Sequence, residues 1–298
     1  MRLLRPRLSL CSFALIIAGC GSGTGSSGPA SAAMPTSSLQ HILFVGDSFT
    51  HGRYAPVRQY NSGGVQTTTG SALVVDENFG QTGSRAELES GPWGGIPGIF
   101  AELAVESHLA FDVHIEAISE TSLAKNFAAA SDVIDQPKWN AVVLQELSTK
   151  PLPSSLTGST VSDPAGFCTS VATIEKGVHG VAPSASVYLY EPWARADLAQ
   201  SLSGTPGTTG FHDRYESNLE TLANANHNVY YSAAAHDGAI KAVAPAGEAW
   251  QTAWLTESQT QTRLLRLHCR CSGTALTPST ILLSLPRTLV TRAWMELI

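Results

Sequence analysis

Five short apolar runs of strand type, at residues 42–46, 113–118, 141–145, 187–190 and 229–232, are separated by longer segments with helical spacing, and this alternation constrains the fold more than any other feature of the chain. Strands that alternate with helices pair in parallel, because each return to the sheet needs a crossover on one of its faces. The helical segments are 96–107, 122–134, 165–178 and 212–225, the first after a Gly-Pro-Trp-Gly-Gly start and the third ending before Pro183. The expected architecture is a flavodoxin-like three-layer α/β/α domain with a parallel sheet of about five strands. Two irregular stretches interrupt it. Residues 53–92 form a Gly-, Thr- and Ser-rich insertion and residues 151–164 a second loop on the same edge of the sheet, so each is expected to wall the crevice at the strand ends.

The first strand-like run ends in Gly46-Asp47-Ser48. In an open α/β sheet the carboxyl ends of the strands face the binding crevice. A serine on the strand-to-helix turn is therefore exposed to substrate, and its backbone N–H can help stabilise an oxyanion. The same tripeptide also suits a plain turn, with glycine bending the chain and Asp or Ser capping the next helix.

The surrounding residues carry a resemblance. Phe44-Val-Gly-Asp-Ser-Phe-Thr-His-Gly52, with Pro56-Val57 and Tyr60-Asn61 after it, resembles the first block of the SGNH (GDSL-type) hydrolases, in particular a subgroup of secreted bacterial members. Residues 94–103, Val142-Val-Leu-Gln-Glu-Leu-Ser148 and residues 243–250 are similar to later blocks of that subgroup, in the same order. The resemblance spans roughly residues 40–255, and it implies a serine esterase or lipase-like acyl hydrolase with Ser48 as nucleophile. It further implies oxyanion donors at the Ser48 amide, at a glycine amide after the second strand and at a side-chain amide after the third. Gln145 has the right chemistry for the last, although the better-known members carry asparagine. The expected glycine falls at Ser119 or Glu120, with Gly94 and Gly95 as alternatives that also suit a simple helix start.

The amino terminus reads as an export signal. Arg2, Arg5 and Arg7 precede an apolar run at residues 8–18 that is too short for a transmembrane helix, and Ile17-Ala-Gly-Cys20 has the pattern of a bacterial lipoprotein signal in which Cys20 is lipidated. An uncharged Gly/Ser/Thr/Ala/Pro tract then suits a flexible tether. The domain plan is a signal at 1–19, a tether at 20–39, the hydrolase-like domain at 40–254 and an atypical tail at 255–298. Such a protein is exported across the inner membrane and held in the bacterial cell envelope through its lipid anchor. The formal net charge of −6 becomes −9 once the signal and its three arginines leave, which argues against nucleic acid as a partner. No cofactor motif is present. Cys269-Arg-Cys271 is too tight for usual disulfide geometry, and His41, His51, His179, His212 and His227 are too scattered to suggest a metal site.

The weak point of the hydrolase reading is its base. In the family the resemblance implies an Asp-x-x-His motif near the carboxyl terminus, and none exists here: the last aspartate is Asp237 and the only later histidine is His268. His236-Asp237 is read as a cap or loop pair. Composition also shifts abruptly where the motif belongs, since residues 255–298 hold ten Leu, eight Thr and five Arg but no Asp or Lys. Either a natural divergent tail has lost the dyad, leaving an envelope binding lipoprotein that keeps the fold, or a reading-frame error scrambles the translation after about Trp254. Thr277, in Leu276-Thr-Pro-Ser-Thr280, stands where relatives carry the histidine, and because every block before the tail is intact the frame error or a truncation is favoured. The expected substrate is a small ester or an O-acylated carbohydrate.

Overall fold

The structure of the chain is a computed structural model, and the residues described are 38–54, 57–63 and 73–254. Cys20, the signal, most of the tether and the tail with His268 lie outside them.

Six parallel strands form one sheet in the order β2-β3-β1-β4-β5-β6. They are β1 (Gln40–Gly46), β2 (Val74–Asp76), β3 (Phe111–Ala117), β4 (Ala141–Leu144), β5 (Ser186–Tyr190) and β6 (Ile240–Ala244). The helices are α1 (Ser48–His51), α2 (Gly95–Glu106), α3 (Leu123–Ile134), α4 (Ser154–Thr157), α5 (Pro164–Val181), α6 (Ala196–Ser203) and α7 (Phe211–His236). β1 is buried on both faces, so its sequence is a continuous apolar run rather than an alternation. Leu43 and Val45 face α3, α5 and α7, where they pack with Leu123, Ile134, Phe167, Ile174 and Tyr230. Ile42 and Phe44 face α2, packing with Ile96, Phe100 and Ala104. The three-layer α/β/α arrangement follows from these two opposed stripes.

Two expectations about the sheet need correction. Residues 229–232 are not a strand. They lie within α7, whose buried residues Leu219, Leu222, Ala223, Asn226, Tyr230 and Ala233 recur at helical spacing through that run. Nothing breaks the helix between 225 and 229, so the stripe of 212–225 simply continues. The last strand is instead residues 240–244. The sixth strand, β2, comes from the insertion, where three residues pair with β3 at the far edge. In the described part of that insertion Arg85 and Asn78 both bond the Glu116 carboxylate of β3, at 2.6 and 2.8 Å, while Glu89 reaches Ser119 beyond the end of β3.

Chain progression reverses at β1, with β3 on one side and β4 on the other. In open α/β sheets that reversal is where a crevice opens outside the carboxyl ends. Ser48 follows β1 at this point.

Candidate active site

The turn after β1 is braced from three directions. Gly46 has no room for a side chain: a Cβ would stand 2.1 Å from Thr50 Oγ1 and 2.5 Å from Gln145 Oε1. Asp47 caps α1, its Oδ1 accepting from the Phe49 amide at 2.8 Å, and its backbone oxygen accepts from the amides of Thr50 and His51. This arrangement leaves the Ser48 amide without a partner among the described residues. Ser48 itself is half-buried.

Gln145 lies beside this turn, yet its side chain faces inward. Its Oε1 accepts from the Asp47 amide at 2.9 Å and from the Thr50 hydroxyl at 2.7 Å, while its Nε2 donates to the Glu146 carbonyl. With the residue 1% exposed, this arrangement is a clamp on the turn that carries Ser48. After β3, Ser119 is buried, whereas Glu120 is exposed and adopts φ +60°, the left-handed conformation that glycine takes most readily. Gly94 and Gly95 serve close packing: a Cβ on Gly94 would lie 1.6 Å from the Tyr60 carbonyl oxygen, and one on Gly95 2.4 Å from the His51 backbone. The Gly94 amide is already bonded to Arg58 O.

A polar chain with no local sequence signature runs under the site. His51, three residues after Ser48, is fully buried and stacks on Trp93 with ring centroids 4.0 Å apart. Its Nε2 is 2.8 Å from Ser119 Oγ, and that hydroxyl donates to Glu89 Oε2 at 2.6 Å. Because the one hydroxyl proton goes to Glu89, the imidazole must donate from Nε2. Burial holds His51 down to about 4, so the ring is neutral at neutral pH. Arg53 closes the chain on Glu89 at 3.1 Å. No local pattern joins positions 51, 89 and 119; only the fold does. Among the described residues no histidine hydrogen-bonds to Ser48. The His236-Asp237 pair is structural, Asp237 ending α7 and accepting from the Ala239 amide.

Buried carboxyls line the strand ends. Burial pushes Asp47 up to about 7 and Glu191, after β5, up to about 8, and it also raises Asp76, the last residue of β2. Glu146, after β4, is also raised by burial and caps α3 by accepting from the Leu123 amide. Between about pH 4 and 8 the native chain therefore holds protons that the unfolded chain has lost, and stability falls as pH rises. His51 acts oppositely, since the unfolded ring binds a proton below its ordinary 6.5 that the native ring refuses. Its opposition ends near pH 6.5. The thermal midpoint is accordingly expected to fall most steeply from about pH 5.5 to 7, at roughly 1.4 kcal/mol per unit of pH for each net proton retained, and to level off above about pH 8 as these carboxyls ionise. Asp47→Asn should flatten the slope. A midpoint that is constant over that range would show that these carboxyls ionise freely.

In structure the chain is similar to TesA, at 13% identity and a TM-score of 0.42, with 87% of this chain and 100% of that one covered. It is likewise similar to a catalytic mutant of Axe2, an acetylxylan esterase from Geobacillus stearothermophilus, at 13% identity and 0.42, covering 89% and 96%. Phospholipase A1 from Streptomyces albidoflavus is similar at 15% identity and 0.37, covering 71% and 81%. No family model matches the chain, and no curated protein matches it.

Proposed function

We propose that the chain is an SGNH-type serine ester hydrolase held in the bacterial envelope, with Ser48 as nucleophile. The observation that carries this reading is the placing of Ser48 at the carboxyl end of the central strand, on a turn fixed by Asp47 and Gln145. Attack by Ser48 Oγ on an ester carbonyl makes a tetrahedral oxyanion, and the unpartnered Ser48 amide is a donor for it. Gln145 acts through the turn as a positioning residue. The Ser48 proton requires a base, and His51 is not placed for it, because its Nε2 is engaged by Ser119. The substrate is a small ester or O-acylated carbohydrate. That no described histidine bonds Ser48 favours a second reading, an envelope lipoprotein that binds such a ligand without cleaving it.

The chain as it stands is expected to hydrolyse a short-chain aryl ester weakly, at about 10³–10⁴ over water, the residue left when a triad member is missing. Reading the gene in the frame that restores Asp-x-x-His after Trp254 should raise turnover strongly, and Ser48→Ala should return it to the low level. Equal rates for the frame-restored protein and its Ser48→Ala variant would favour the binding protein. Robust turnover by the chain as it stands, lost on Ser48→Ala, would make His268 the base to test.

Anchoring is tested separately. The full chain expressed in a bacterium should fractionate with membranes, and Cys20→Ser should release it, because a multiply acylated cysteine holds firmly where a short apolar run does not. Retention of the variant to the same extent as the parent would remove the lipid anchor from the proposal.

A further inference from the structure

We propose that His41, Asp112 and His114 bind one divalent transition-metal ion of the zinc class, with Glu77 as the carboxylate that orients His114. These residues lie at the opposite end of the sheet from the nucleophile. His41 is the second residue of β1, and from it to Ser48 an extended chain spans roughly 20 Å. The residues are distant in sequence, yet the parallel register sets His41 opposite Asp112 and Leu43 opposite His114. Side chains two apart share a face, so His41, Asp112 and His114 stand together on one side of the sheet.

The ligand atoms of the three residues lie within 4.8 Å of one another. Asp112 Oδ2 stands 2.6 Å from His41 Nδ1 and 3.2 Å from His114 Nε2. Atoms bound to one tetrahedral zinc are roughly 3.3 Å apart, so the second distance already suits an ion between them, and the first needs only modest widening. The stronger observation concerns the protons. His114 Nδ1 is 2.6 Å from Glu77 Oε1, an acceptor, so the ring proton sits on Nδ1. In the neutral ring Nε2 then presents its lone pair toward a carboxylate, acceptor facing acceptor, whereas an imidazolium would make an ion pair there. Neither His114 Nε2 nor Asp112 Oδ1 has a hydrogen-bond partner, although both are buried and His114 is only 6% exposed. A bound cation satisfies the lone pair and the carboxylate at once. The contact from Glu77 is the outer-shell arrangement that holds a metal-bound imidazole in its tautomer. His41 is about one-third exposed, which leaves a fourth position open to water. Two imidazoles and a carboxylate suit zinc rather than magnesium or calcium.

The experiment uses untagged full-length protein carrying Cys269→Ser and Cys271→Ser, so that tail thiols contribute nothing, freed of metal with a chelator and titrated with Zn²⁺ alone. One equivalent per chain is expected. His114→Gln or Asp112→Asn should lose it, and Glu77→Gln, which retains the ligands, should weaken binding 10–100-fold. Because His114 is buried, His41→Gln serves as the second ligand variant, and each is compared only where its metal-free thermal midpoint matches the parent. Co²⁺ in place of Zn²⁺ should give the visible absorption of a low-symmetry nitrogen and oxygen site, absent from His41→Gln. Failure of the parent to bind Zn²⁺, or an equivalent that survives both His41→Gln and His114→Gln, overturns the proposal and leaves the cluster an ion-pair network.

Discussion

Trp93→Ala is expected to lower the thermal unfolding midpoint by roughly 10 °C. The indole is completely buried, lies within the cluster that joins α2 to β1 and β3, and forms the shelf on which His51 stacks. Large aromatic to alanine changes in cores cost about 3–5 kcal/mol, because the cavity collapses only in part. For a folded body of this size each kcal/mol moves the midpoint by about 2–4 °C. Trp193→Ala supplies the comparison: that ring is half-buried and touches Phe49 at 5.0 Å, so a far smaller shift is expected. The damage should also extend beyond stability. Water entering the space beneath His51 would relax the burial that keeps the imidazole neutral, and its titration, followed by proton NMR, should move up toward the ordinary range. A midpoint within 3 °C of the parent would mean that the ring is dispensable to the packing described.

Gln145→Leu carries the second large effect. The substitution keeps the volume but removes the acceptor for two buried donors, the Asp47 amide and the Thr50 hydroxyl. Each buried polar group left unpaired costs about 1–3 kcal/mol, so a loss of roughly 2–5 kcal/mol is expected by denaturant titration. The double variant Gln145→Leu/Thr50→Val should recover part of this loss, since it removes one orphaned hydroxyl together with its acceptor. This cycle also separates two roles for Gln145. A clamp on the turn changes stability and Ser48 reactivity together, whereas a residue whose amide serves only a bound oxyanion would leave stability within about 0.5 kcal/mol. The latter result would restore the direct role that the resemblance implied.

What was legible in the sequence depended on how local its cause was. The run into Gly46-Asp47-Ser48 could be read because a strand buried on both faces is apolar throughout, and because the turn and cap lie within two residues of its end. The helices α2, α3 and α5 could be read from their spacing. Residues 229–232 misled because Val229, Tyr230 and Tyr231 suit either a strand or the buried side of a helix, and only length decides between them. β2 was hidden because three residues in a Gly- and Thr-rich stretch acquire strand geometry only by pairing with β3. The position of Gln145 was legible, and the direction of its side chain was not, because that direction depends on the space Gly46 leaves. The chain from His51 through Ser119 to Glu89 and the grouping of His41 with His114 are products of register and loop packing.

The edges of the sheet bear on how this molecule behaves among its own copies. Among the described residues one border is a strand of only three residues, and the other, β6, carries the exposed Lys241. A short border offers few free amide and carbonyl groups for a neighbour to zip onto, and a lysine on the other must be desolvated before a strand can lie beside it. At high local concentration even weak edge pairing would spread into aggregates. Blunt borders of this kind let many copies stand side by side and remain separate.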